Sequence, residues 1–170
     1  MGNKFTKLIW VPSQSDIRNE ITWINKQIDD IGVQKLNQLS KKASKQSSNA
    51  YVPYSGYKVG VSLLTTSENI YLGNNAERAG YSETDHAEEA AITNAIINGE
   101  IQRCGRKFIK ALAVSHKENT APCGRCRQIM IEHCDNALVL IVNTVGKTRG
   151  ITSLKMLLGY SFTPSDLGID

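Results

Sequence analysis

Metal-ligand residues at three separated positions constrain this chain more than any other feature. His86-Ala87-Glu88 is followed, one globular stretch later, by Pro122-Cys123-Gly124-Arg125-Cys126. If His86, Cys123 and Cys126 bind one ion, the fold must bring two distant segments within a few ångströms of each other. Two thiolates and one imidazole make a zinc donor set, and three protein ligands rather than four leave a coordination position for water, the arrangement of a catalytic site. The site is then formally neutral before water joins. Glu88, two residues beyond His86, can face the open position and shuttle the water's proton.

Each piece alone has a blander meaning. A lone C-x-x-C is equally a redox pair or half of a structural zinc knuckle. Asp85-His86-Ala87-Glu88 also reads as a helix start, with Asp85 as N-cap and Glu88 as the reaching carboxylate of a capping box. The two pieces together favour catalysis. Pro122 suits a first helical turn, placing Cys123 and Cys126 near a helix N-terminus, where backbone N–H groups and the dipole stabilise thiolates.

The combination H-x-E…P-C-x-x-C is the signature of zinc-dependent deaminases, and from about Val33 to Leu167 the chain resembles the cytidine deaminase family. Tyr54-Ser55-Gly56-Tyr57-Lys58-Val59-Gly60 is similar to the family's segment before its first strand, and Gly73-Asn74-Asn75-Ala76-Glu77 to its ribose-binding segment. Pro122-Cys123-Gly124-Arg125-Cys126-Arg127-Gln128 resembles the free-nucleoside branch. Leu157-Leu158, Phe162-Thr163-Pro164 and Leu167 resemble its C-terminal segment. The resemblance implies that Asn75 and Glu77 hold the 3′-hydroxyl, that Tyr57 packs near the nucleoside and that the backbone at Ala87 contacts the base. It also implies that Phe162 reaches a neighbouring subunit's pocket.

Two departures stand out. The family commonly has Asn where this chain has Arg78. Short members often use Cys as first ligand, with an Arg one residue after the catalytic Glu to offset the third thiolate; here the ligand is His86 and Glu89 follows Glu88. An imidazole in place of a thiolate removes one negative charge, so no compensating Arg is required.

Periodicity places the remaining elements. Ile17, Ile21, Ile24, Ile28 and Ile31 recur at helical spacing, with Ser13 or Ser15 to cap the start and Gly32 to stop it. This amphipathic helix belongs to an N-terminal extension, residues 1–32, ahead of a catalytic domain, residues 33–170. A second helix runs from Val33 to about Gln46. Strands follow over Lys58 to Thr65 and Asn69 to Asn74, then a helix from His86 to about Ile97, a strand from Ile109 to Ser115 and the second zinc helix from Cys123 to Cys134. Ala137 to Val142 and Val145 to Ile151 are strands whose link, Asn143-Thr144, suffices for a hairpin but not for a parallel crossover. Polynucleotide and tRNA deaminases, which resemble this core, place a helix there. The expected fold is therefore α/β, a three-layer α/β/α cytidine-deaminase-like arrangement with a mixed five-stranded sheet whose last two strands are antiparallel.

Composition excludes other classes. A net charge of +4 over 170 residues is mild, and the lysines and arginines read as solvated faces, so no nucleic-acid partner is expected. No segment is long and apolar enough to span a membrane and no secretory run opens the chain, which makes the cytoplasm the default. Met1-Gly2-Asn3-Lys4-Phe5-Thr6 fits the myristoylation pattern, a permissive string taken as chance. Cys104 and Cys134 are expected as reduced, partly buried thiols, in keeping with a thiolate site in a reducing compartment.

The expected activity is hydrolytic removal of the 4-amino group of cytidine or 2′-deoxycytidine, with one Zn²⁺ per chain acidifying the attacking water and Glu88 as proton shuttle. Modified or N4-substituted cytidines and blasticidin S remain open as substrates, and a zinc-stabilised binding module in which Glu88 only caps a helix is the non-enzymatic alternative. Short chains resembling this one are homotetramers with shared sites, whereas His-ligated members are often longer dimers carrying a second core. About 32 residues cannot hold another domain, so a homotetramer acting on a free nucleoside is expected.

Overall fold

The computed structural model of the chain describes residues 12–169; the Met1–Thr6 string lies outside them. Helix α1 (Gln14–Ile31) starts on a capping box, Ser13 accepting from the Asp16 N–H while the Asp16 carboxylate accepts from the Ser13 N–H, and ends at Gly32, whose φ of 82° suits glycine. Helix α2 (Val33–Ser47) follows at once. The five strands are β1 (Gly60–Thr65), β2 (Ile70–Asn74), β3 (Ile109–Ser115), β4 (Leu138–Val142) and β5 (Thr148–Ser153), in the order β2-β1-β3-β4-β5. Only β3 and β4 pair in parallel; the other three pairings are antiparallel. Between them lie α3 (Ala87–Ile97), the short α4 (Glu100–Cys104) and α5 (Gly124–Ile131), and α6 (Leu154–Leu157) follows β5.

Strand alternation sorts the core into two layers. Val61, Leu63, Leu112, Val114, Val139 and Ile141 face Ala91, Ile92 and Ala95 of α3 and Met130 and Ile131 of α5. Leu64, Ala111, Ala113, Leu138, Leu140 and Val142 face Leu36, Leu39 and Ala43 of α2, onto which Trp23, Ile24, Ile28 and Ile31 of α1 also pack. This is the expected α/β/α sandwich, and α1 covers its own sheet.

Several boundaries differ: β1 starts at Gly60 rather than Lys58, β2 at Ile70 rather than Asn69 and β4 at Leu138 rather than Ala137, and β5 ends at Ser153 rather than Ile151. His86, not Asp85, is the N-cap of α3, because Asp85 is drawn into backbone bonds with Ala76 (3.0 and 3.1 Å) and an ion pair with Arg78 at 2.7 Å. Pro122 precedes the N-cap Cys123 instead of entering the first turn, and α5 ends at Ile131 rather than Cys134. Val145, 81% exposed, lies in the β4–β5 turn, where Asn143 Oδ1 accepts from the N–H groups of Val145 (3.2 Å) and Lys147 (2.8 Å). That side chain supplies the turn's hydrogen bonds and postpones the strand to Thr148.

Sequence periodicity did not show α4, which begins after Gly99 in the left-handed region. Its Glu100 is fully buried and accepts from Ser67 Oγ (2.7 Å), Asn69 Nδ2 (2.9 Å), Tyr71 Oη (2.9 Å) and Arg103 (2.8 Å). Burial alone would raise its pKa, but the hydrogen bonds outweigh it and hold the carboxyl at about 2. The β1–β2 hairpin is thereby fastened to the helical layer at the end of the sheet where β1 finishes.

At the opposite end α3 is pressed onto β2. A Cβ on Gly73 would sit 2.2 Å from the Ala87 carbonyl oxygen and 2.5 Å from the Ala91 nitrogen, both rigid helix backbone. Gly73→Ala is therefore expected to cost at least the ~1–3 kcal/mol of ordinary overpacking, read as a lower urea midpoint. Gly150→Ala, whose Cβ would meet only Ile141 side-chain carbons at 3.9 Å, should stay near the parent value.

Candidate active site

Three strand ends define the site. The residues just before β1, just after β2 and just after β3 are Val59, Asn75 and His116, brought side by side because Gly60 pairs with both Asn74 and Ser115. The starts of α3 and α5 arrive at the same end of the sheet. His86 and Cys123 are their N-caps, and neither makes a side-chain capping bond. Both helices thus direct unsatisfied backbone N–H groups and the positive ends of their dipoles toward this region.

His86 Nδ1 lies 3.6 Å from Cys123 Sγ and 3.3 Å from Cys126 Sγ, and the two sulfurs are 3.5 Å apart. A tetrahedron built with Zn–S of about 2.3 Å and Zn–N of about 2.0–2.1 Å has edges of roughly 3.6–3.8 Å, so the donors stand close to where one zinc ion would hold them. No other group of three or more His, Cys, Asp or Glu side chains among the described residues is placed to hold an ion. The electrostatics agree. Burial pushes the Cys126 thiol up, and the negative charges of Glu88 and Cys123 add to this; a divalent cation is what makes a thiolate favourable in such surroundings.

Glu88 is 5% exposed and outside the donor set. With His86, Ala87 and Cys123 it lines a cavity of about 260 Å³ whose other walls include Tyr57, Val59, Asn75, His116 and Thr120. This is close to the lower end of ligand pockets, roughly 300–1,000 Å³. A cavity lined by two of the three metal donors, His86 and Cys123, with the buried Cys126 behind them and a buried carboxylate beside them, can activate water and move its proton. A capping box at Asp85 and Glu88 is not what forms.

A family model for the cytidine and deoxycytidylate deaminase zinc-binding region matches residues 33–142. The chain belongs to that family. It is 41% identical to the cytidine deaminase of Sporosarcina psychrophila over 138 residues, covering 79% of this chain and 94% of that protein. It is 36% identical to the cytidine deaminase of Halalkalibacterium halodurans over 132 residues, covering 76% and 95%. The crystal structure of cytidine deaminase from Burkholderia pseudomallei superimposes with a TM-score of 0.66 at 35% identity, over 74% of this chain and 97% of that one. The chain is thus an enzyme of the zinc-dependent cytidine deaminase type, and its His/Cys/Cys group fits the metal that the family binds.

Within the deaminase site the other expected residues fall into distinct places. Asn75, 8% exposed, accepts from the Val59 N–H (2.9 Å) and donates to the Tyr57 carbonyl (2.8 Å), leaving one N–H and one lone pair uncommitted. Glu77 is not among the cavity-lining residues. Its carboxylate accepts from the Tyr54 N–H (3.0 Å), the Ser55 N–H (3.1 Å) and the Ser55 hydroxyl, which holds it below the usual carboxylate range, with the hydroxyl as the chief cause. Tyr57 forms a wall. Ala87 is buried at the cavity's edge, whereas Phe162, 58% exposed, lies away from this chain's own cavity with its carbonyl accepting from Gln128 (2.6 Å). Arg78 turns away, donating to the Glu83 carbonyl and to Asp85, each at 2.7 Å.

Sequence reasoning missed His116, 3% exposed in the wall. A histidine one residue past a buried strand carries no spacing that distinguishes it. Metal content tests the donor set: purified protein should hold one zinc per chain, His86→Ala, Cys123→Ala and Cys126→Ala should each lose most of it, and Glu88→Gln should retain it. Loss of zinc in Glu88→Gln, measured by elemental analysis, would make Glu88 a ligand.

Proposed function

We propose that the chain hydrolyses cytidine and 2′-deoxycytidine to uridine and deoxyuridine with release of ammonia. The observation that supports this best is Glu88, a buried carboxylate outside the donor set but in the same cavity. His86, Cys123 and Cys126 hold zinc, which when bound supplies the Lewis acidity that makes a water molecule an effective nucleophile near neutral pH. Glu88 accepts a proton from that water and delivers it to N3 of the pyrimidine as the water oxygen bonds to C4. It then carries the second proton to the amino group, so that the C4–N4 bond breaks with ammonia as leaving group. Atoms balance as nucleoside plus water giving keto product plus ammonia.

The Ala87 backbone contacts the base and Tyr57 packs alongside it. Asn75 offers its uncommitted N–H to the sugar. Glu77, the other sugar residue implied by the resemblance, holds the turn that carries Tyr54 and Ser55. The antiparallel β5 supports a free nucleoside over a polynucleotide, since polynucleotide deaminases resembling this core place a helix before that strand. No described helix is long and apolar enough to cross a membrane. Residues 1–32 are assigned as an extension to the catalytic unit 33–170, in a homotetramer in which exposed Phe162 reaches the neighbouring pocket.

Ammonia release from cytidine, deoxycytidine, adenosine and blasticidin S decides the substrate; the two cytidines should react and the others should not. Glu88→Gln should lower kcat by at least ~10²-fold, the lower end of what a positioned acid–base group contributes, with zinc retained. Full activity in that variant would overturn the mechanism. For assembly, light scattering should give four times the chain mass, and a monodisperse active monomer would refute the shared site.

A further inference from the structure

The proposed chemistry leaves one buried polar group in the wall of the site unused. His116 Nδ1 lies 2.9 Å from Tyr57 Oη, and its Nε2 lies 2.7 Å from the Thr120 carbonyl oxygen and 3.2 Å from the Thr120 nitrogen. Nε2 meets both an acceptor and a donor of Thr120, and Nδ1 meets a hydroxyl that both donates and accepts, so whichever ring nitrogen carries the proton, both are committed within the protein and neither is left to move protons for a substrate.

Tyr57 is held from its other side too. Its carbonyl accepts from Asn75 (2.8 Å) and its N–H donates to Ser55 Oγ (2.9 Å), whose hydroxyl is bound by Glu77. A hydrogen-bonded path thus runs from Glu77 through Ser55, Tyr57 and His116 to Thr120, three residues ahead of the first cysteine, Cys123. The Tyr57 side is 38% exposed and His116 is buried, with ring centroids 5.7 Å apart at 33°. The anchored partner therefore fixes the freer one.

We propose that His116 is a positioning residue for the reaction: it locks the Tyr57 ring in place as the wall against which the nucleoside packs. This rests on the deaminase reading of the site. A preformed wall spares the substrate the cost of ordering that side chain, a gain shared by ground state and transition state, so it belongs in KM rather than kcat.

The test compares the full-length zinc enzyme with His116→Leu, His116→Gln, Tyr57→Phe and the Leu/Phe double variant on cytidine. Loss of this half-buried hydrogen bond should raise KM about three- to tenfold in His116→Leu and Tyr57→Phe, with kcat within about twofold and zinc content unchanged. The double variant should be little worse than either single one, because both remove the same contact. His116→Gln should stay near the parent, its amide placing an oxygen and a nitrogen across one carbon as the ring places its two nitrogens. An unchanged KM in His116→Leu, a fall in kcat alone, multiplicative losses in the double variant or a His116→Gln as impaired as His116→Leu would each overturn the proposal. Side-chain ¹⁵N NMR tests the lock without turnover: the His116 Nδ1 resonance should move in Tyr57→Phe, and an unmoved resonance would refute the contact. If the parent releases no ammonia from cytidine, the deaminase reading fails and this measurement still decides the His116–Tyr57 lock.

Discussion

Three donor atoms, from residues 37 and 40 positions apart, meet within 4.8 Å, and the fold serves that meeting. The parallel pairing of β3 with β4 obliges the chain to cross back over the sheet, and α5 is that crossover. Its first residues lie at the end of β3, where Cys123 and Cys126 sit. The other ligand arrives by a different constraint. Ala76 and Asp85 exchange backbone hydrogen bonds, so the residue after Asp85 must emerge beside the end of β2, and the bare Cα of Gly73 lets the first turn of α3 lie directly on that strand. His86 is thus fixed by backbone contacts on both sides, before any metal contributes.

How much of this was legible depended on whether a residue's role is written in its neighbours. The isoleucines of α1 between Ser13 and Gly32, and the apolar run of β3, declare themselves by periodicity and capping. The donor set did so by spacing. Where side chains override local propensity, the sequence misled: Asp85 looks like an N-cap but is occupied by Arg78 and Ala76, and Val145 looks like strand but lies in a turn organised by Asn143. Helix α4 was hidden because it is short and its anchor, Glu100, is a charged residue that only long-range partners make buriable.

Partners within the site were equally hidden. Asn75 and Glu77 drew attention as sugar ligands by resemblance, yet both also hold protein: Asn75 grips the backbone of Tyr57 and Val59, and Glu77 the turn at Tyr54 and Ser55. One amide can do both jobs because it has donors and acceptors to spare. The Glu77 carboxylate already receives three hydrogen bonds from that turn, which uses most but not all of its acceptor capacity. Through Asn75, Tyr57 and His116, hydrogen bonds run from the end of β2 to Thr120, three residues before Cys123.

Charge near the metal is balanced in the same local way. Arg125 stands between the two cysteines in sequence and would, alone, draw on their thiolates. Its guanidinium instead lies 2.9 Å from Glu89, which raises its pKa first through that hydrogen bond and then through its charge, the cysteines adding less. Glu89 is therefore the counter-ion of a neighbouring helix rather than a stray negative charge beside the ion. An arginine at position 89 would face Arg125 across the same short distance, so the carboxylate there follows from Arg125 as much as from His86. With the Arg125–Glu89 pair neutral as a unit and His86 a neutral donor, two thiolates suffice to balance a divalent ion. The ligand set and the ion pair next to it are two parts of one electrostatic solution.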